Sequence, residues 1–196
     1  MHVLSSILGA LVRRRNRSSS YIDSMKSIIA LHDETINVWS HLVATIVFST
    51  NTIWCTPTYN TLRSITRLRV DCVAKKAFTI FIFQTAATLC FACSTLYHIF
   101  ANHPQARWWQ RLDHFGIVAL FWASTILFIL FFFDYKQYLQ QVYTALVTAS
   151  AILSLACLRG SPLHRPESQW DRIATHIVFG GIATLPAAHC STFSTH

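Results

Sequence analysis

The sequence predicts an all-α, polytopic membrane helix bundle, and three observations carry that expectation. Of the 196 residues, 53% are hydrophobic and only 12% are charged, with a mean hydropathy of +0.38; soluble domains carry about twice that share of charge. Apolar runs recur five times, near residues 38–55, 77–100, 115–133, 139–158 and 173–189, each close to the ~20 residues an α-helix needs to cross the hydrocarbon layer. Lys and Arg outnumber Asp and Glu by 16 to 8, giving a formal charge of +8. These basic residues gather in short clusters between the apolar runs, where membrane topology accounts for them, so no nucleic-acid partner is expected.

Residues 1–30 read as a cytosolic N-terminal arm and residues 31–196 as the membrane domain. The apolar stretch Val3 to Val12 is short, and its charges (Arg13, Arg14, Arg15, Arg17) follow it, the reverse of a secretory signal. Tyr21 to Ala30 has mixed polarity and reads as a short helix lying on the membrane surface. Val38 to Cys55, Ala77 to Phe100 and Phe115 to Phe133 are clear spans. Leu139 to Leu158 is diluted by Thr and Ser yet holds no charge until its end. Ile173 to His189 is short and contains His176, Gly180, Gly181 and Pro186, so it reads as a span, a broken span or a re-entrant segment.

With a cytosolic N-terminus, ten of the basic residues fall inside: Arg13, Arg14, Arg15, Arg17, Lys26, Arg107, Arg111, Arg159, Arg165 and Arg172. Six fall outside: Arg63, Arg67, Arg69, Lys75, Lys76 and Lys136. That bias favours the cytosolic N-terminus, against the pull of the basic first loop.

Polar groups crowd the span ends. His32-Asp-Glu34-Thr-Ile-Asn37-Val-Trp39-Ser-His41 leads into span one, Ser94 and His98 close span two, and Asp113 precedes span three. Because alternate spans run in opposite directions, all three clusters meet at one membrane face in either orientation. Ser94 and His98 are four apart and share a helix face, and 14 residues separate His98 from Asp113 across the loop. His and carboxylate groups held together suit zinc, with His98 as the ligand candidate, Asp113 as a ligand or as the base holding the metal's water, and Ser94 supporting either. The alternative is that these residues seal helix ends by hydrogen bonds. Glu34 and His41, seven apart, read as a structural clamp on span one. Trp39, Trp54, Trp108 and Trp109 read as an interfacial aromatic belt, and Cys90-x-x-Cys93, inside a span, as packing. Cys55, Cys72, Cys157 and Cys190 form no disulfide framework.

Glu34-Thr-x-Asn37-Val-Trp39-x-His41, Ser94-x-x-Tyr97-His98 and Asp113-His-Phe-Gly116-Ile117 resemble, in order and placement, the signatures of the progestin and adipoQ receptor family. That family takes in adiponectin receptors, fungal zinc-homeostasis proteins and haemolysin III-related proteins; the His32-Asp33-Glu34-Thr35 opening looks most like the fungal branch. Pro162 to His189, with Arg165, Gly180 and Pro186-x-x-His189, looks like the family's fifth span. The resemblance implies a seven-helix bundle, an integral membrane protein with a cytosolic N-terminus, and receptor-like function in signalling and in lipid or zinc homeostasis. It also implies zinc held by the His of Ser-x-x-x-His and by a His-x-x-x-His on the seventh helix, with Ser94 and Asp113 in catalytic positions and His98 as metal ligand. Glu34, Asn37, Trp39 and His41 carry over as the structural motif. Zinc-dependent, ceramidase-like lipid-amide hydrolysis is the alternative for a complete form, with membrane lipids and a sphingolipid or sterol-like ligand as partners.

The chain departs from that pattern in carrying no His-x-x-x-His. It is therefore expected to be C-terminally truncated, with about five of the family's seven helices and an incomplete zinc site, and an inactive remnant is the third reading. His189 and His196 fall on the face opposite His98 by the same alternation. His114 stands where the family usually has an aromatic residue, and its position beside Asp113 turns it about 100° away on a helix, so it is assigned no role. His164 and His176 lie on the right side to complete a makeshift site.

Overall fold

The computed structural model describes residue 9 and residues 20–65, 70–160 and 167–193, with no strand among them. Val3 to Val12, Arg13 to Arg17, Pro162, His164, Arg165 and His196 are, apart from Gly9, outside the described residues. A short helix α1 (Tyr21–Lys26) runs into a 3₁₀ turn (Ser27–Ile29), and five long helices follow: α2 (Thr35–Ile65), α3 (Val70–Ile99), α4 (Ala106–Phe132), α5 (Gln137–Gly160) and α6 (Glu167–Phe193).

Large apolar side chains lie on the outside of the bundle, and several polar ones lie inside it. Ile53, Trp54, Phe132, Ile152, Leu153 and Ile177 are exposed, whereas Ser94, Thr95, Asp113 and Thr125 are buried. An apolar surface of this extent fits a lipid environment. Helices α3 to α6 are long and apolar enough to cross a membrane. Helix α2 extends beyond the expected 38–55 to 31 residues, with hydroxyl residues spaced along its apolar run. Those hydroxyls are satisfied within the helix: Thr45, Ser49, Thr50 and Thr52 each donate to the carbonyl four residues earlier, at 2.7–2.8 Å. This pairing lets polar residues sit in a lipid-facing helix.

The fifth apolar run is one continuous helix with Pro186 inside it. Proline removes one in-helix donor, that for the Ile182 carbonyl. Pro186 is fully buried, and a neighbouring helix shelters the interruption, as it can in a bundle.

Helix α3 packs most extensively against α2 and α4, and α4 also contacts α5 and α6, which places α4 at the centre. Between α4, α5 and α6 lies an apolar core built on Val118, Ile126, Ile129, Val147, Ala151 and Phe179. A smaller cluster of Val38, Ile99 and Phe100, joined by Ile28 and Trp109, seals the end where α1 lies. At the opposite end Lys76 pairs with Asp134 at 2.8 Å and Lys75 donates to Gln140 at 3.0 Å. His189 meets Tyr143 at that same far end, away from His98, as the alternation of spans requires.

Helices α3 and α4 come close together at Gly116, where an added Cβ would stand 2.9 Å from the Cα of Cys90. Small residues at such crossings let membrane helices pack without a hydrophobic driving force. Cys90 is buried there and unbridged, a packing position. Gly116→Ala should force α3 and α4 apart and cost about 1–3 kcal/mol, measured by thermal or denaturant unfolding of the detergent-solubilised chain. Gly180, with nothing within 4 Å of an added Cβ, is the control: Gly180→Ala should leave stability unchanged or raise it.

Candidate functional site

The polar cluster is assembled from the loop ends of α2, α3 and α4. The lead-in to α2 is locked by His32, which is buried. Its Nδ1 accepts from the backbone N–H of Glu34 at 3.1 Å, and its Nε2 lies 3.1 Å from the Ser27 carbonyl. The His32 N–H in turn donates to Thr35 Oγ1 at 2.8 Å. These bonds fix where the Glu34 side chain leaves the backbone, one residue before α2.

Glu34 Oε2 lies 2.8 Å from His98 Nδ1 and accepts from Asn37 Nδ2 at 2.9 Å. A carboxylate only accepts, so this contact calls for a proton on Nδ1 of His98. The His98 ring stacks on His41, with centroids 5.3 Å apart and planes 5° from parallel. His41 also lies against Phe91, at 5.9 Å. Across the α3–α4 crossing, Ser94 Oγ donates to Asp113 Oδ1 at 2.6 Å, with both residues buried. This is the short, charge-assisted kind of hydrogen bond.

The structure therefore brings together Glu34, Asn37, His41, Ser94, His98 and Asp113, with Glu34 reaching His98 directly rather than only clamping helix ends. Trp39 sits apart, its Nε1 donating to the Ile28 carbonyl at 3.2 Å, a tie between α2 and the N-terminal segment. That segment is anchored at the same end: Tyr21 packs edge-on against Phe100 and donates to Gln105. Ile22, Met25 and Ile29 are exposed along it, as in a helix lying at a membrane surface.

One contact was not foreseen from the sequence. His114 Nδ1 lies 3.0 Å from His176 Nε2, joining α4 to α6. The 100° offset from Asp113 turns His114 away from α3 and toward a different neighbour, so the offset that argued against a role supplies the contact. Only a hint was present: His176 lies on the correct side by span alternation.

The zinc expected from the resemblance can be tested against this donor set. His98 has one nitrogen committed to Glu34, and Asp113 has one oxygen committed to Ser94. Among the described residues, no three His, Cys, Asp or Glu side chains converge to hold a metal ion. By themselves these residues do not fit a closed zinc site; they supply one oriented imidazole and a nearby carboxylate.

Residues 29–196 match a family model described as haemolysin-III related. Among relatives, the chain is 30% identical over 171 residues to "Progestin and adipoQ receptor family member 3" of Homo sapiens, covering 84% of this chain and 52% of that protein. It is 26% identical over 172 residues to "Heptahelical transmembrane protein 1" of Arabidopsis thaliana, covering 85% and 50%. Similarity to the "ADIPOR-like receptor IZH2" of Saccharomyces cerevisiae is 24% over 184 residues, covering 90% and 55%. The chain thus spans about half the length of the curated relatives it matches.

Removing the carboxylate in Glu34→Ala should release control of the His98 tautomer and cost about 0.6–2 kcal/mol, the range for hydrogen bonds between membrane helices. Nitrogen-15 NMR of labelled histidine should show a single Nδ1–H tautomer in the parent and a mixture in the variant. The same mixture in both would contradict the assigned role.

Proposed function

The chain belongs to the haemolysin-III related family, and from that we propose that it is a receptor-like membrane protein whose working centre is the polar cluster at the loop end of α3 and α4, linking lipid or zinc status to a cellular signal. The observation that carries this reading is the meeting of a half-buried contact, Glu34 with His98, and a buried one, Ser94 with Asp113, contributed by α3, α4 and the lead-in to α2. Ionisable groups at membrane depth are costly and mark functional positions. Three relatives whose printed names include "receptor" support the receptor class. The excess of basic residues on one set of loops favours a cytosolic N-terminus, so the cluster would face the cytosol. An amphiphile with a polar head and an apolar body, sphingolipid or sterol-like, matches a polar cluster bordered by Phe91 and Phe48, whose rings stack at 5.5 Å.

A second reading, lipid-amide hydrolysis, is favoured by one contact. Ser94 anchors Asp113 through a single oxygen, which leaves the other to hold a water, take its proton as that water attacks an amide carbonyl, and return the proton to the amine as the C–N bond breaks. Positioned general bases contribute about 10²–10⁴-fold to rate.

The chain reconstituted in lipid vesicles containing ceramide separates the two readings. Hydrolysis requires turnover by the parent and a loss of about 10²-fold or more in Asp113→Asn; no turnover by the parent removes that reading. The receptor reading requires that expression alter the zinc tolerance of host cells and that Asp113→Asn and His98→Ala abolish the change. Equal tolerance in parent and variants would overturn it.

A further inference from the structure

We propose that His114 and His176 form a second site, separate from the His98 cluster, for a divalent first-row transition-metal cation bridging α4 and α6. The two residues are 62 apart in sequence, yet their facing nitrogens stand 3.0 Å apart with ring centroids at 5.1 Å. As a hydrogen bond between neutral rings, the contact requires one nitrogen to donate and the other to accept. That bond leaves His114 Nε2 buried with no hydrogen-bond partner, and a buried polar atom left unmet costs stability.

Imidazole nitrogen suits Zn²⁺, Cu²⁺ and Ni²⁺. Two imidazoles bound to one tetrahedral metal at about 2.0–2.1 Å each have nitrogens about 3.3–3.4 Å apart. The observed spacing is a few tenths of an ångström shorter, so replacing the shared proton by a cation asks for a small opening of the pair and no movement of the helices. Each ring then ligates through its inner nitrogen; the ring that donated in the metal-free pair moves its proton to its outer nitrogen, the other ring already carries its proton there, and a neutral pair releases no net proton. Asp113 lies near enough to act electrostatically on both rings and favours a cation; Arg172, one helical turn before His176, opposes it. With two protein ligands, water fills the remaining positions, and affinity falls below that of closed three- or four-ligand sites.

The test uses the full chain in lipid nanodiscs, titrated with Zn²⁺ alone against a chromophoric chelator. One ion should bind, His114→Asn and His176→Asn should each weaken binding at least tenfold, and Zn²⁺ should raise the thermal midpoint of the parent but not of the double variant. Asparagine keeps hydrogen-bonding capacity, and an unchanged helical spectrum shows that each variant is folded. Two results overturn the site: no binding by the parent, or binding that survives in the double variant and disappears in His98→Ala. The second result would place the ion in the His98 cluster and leave the receptor reading standing.

Discussion

The approach of Gly116 to the backbone of Cys90 is the constraint on which the rest of the molecule depends. It brings α3 and α4 to a separation that no side chain larger than hydrogen permits at that point. Because the two helices are antiparallel neighbours joined by a short loop, equal steps from the crossing toward the loop arrive at facing positions. One turn along α3 from Cys90 is Ser94, and about one turn back along α4 from Gly116 is Asp113. Their 2.6 Å hydrogen bond follows from the crossing. A further turn along α3 reaches His98, where the lead-in to α2 contributes Glu34. A methyl group on Gly116 would therefore act twice, through packing and through the register of the polar cluster.

Much of this was legible in the sequence because it depends on counting. Helix direction alternates along a chain of spans, so residues at the end of one span and the start of the next share a membrane face. That argument brings Glu34, His98 and Asp113 to one end and sends His189 to the other. Rotation of each helix about its axis cannot be counted in this way. The sequence gives the angle between Asp113 and His114 on α4, but which neighbour each one meets depends on where α3 and α6 dock. His114 was set aside because it turned away from α3, yet a central helix has neighbours on several sides, and α6 occupies the side it turns toward.

Span quality was also only partly readable. Helix α2 carries Thr and Ser residues along its apolar run, and hydrophobicity alone gives no indication that their hydroxyls fold back onto the helix. The interrupted run ending at His189 posed the opposite problem. Glycine and proline signal a break, but the continuous α6 reflects tertiary surroundings: Pro186 is enclosed by protein, where a lost backbone hydrogen bond is tolerated better than in open lipid. Local propensity yields to packing in both helices.

The polar contacts cannot be what holds this bundle together. Hydrogen bonds between membrane helices contribute about 0.6–2 kcal/mol each, because the separated helices also find partners for these groups. Three such contacts, Glu34 to His98, Ser94 to Asp113 and His114 to His176, therefore amount to only a few kcal/mol. Burying their ionisable groups opposes that gain, and apolar side chains of similar size would pack without the cost. The close crossing at Gly116 and the apolar core around Ile129 and Phe179 provide packing that needs no buried charge. The polar residues at the loop end are thus better explained by chemistry than by stability, and the fold's contribution is to hold them in fixed relative positions.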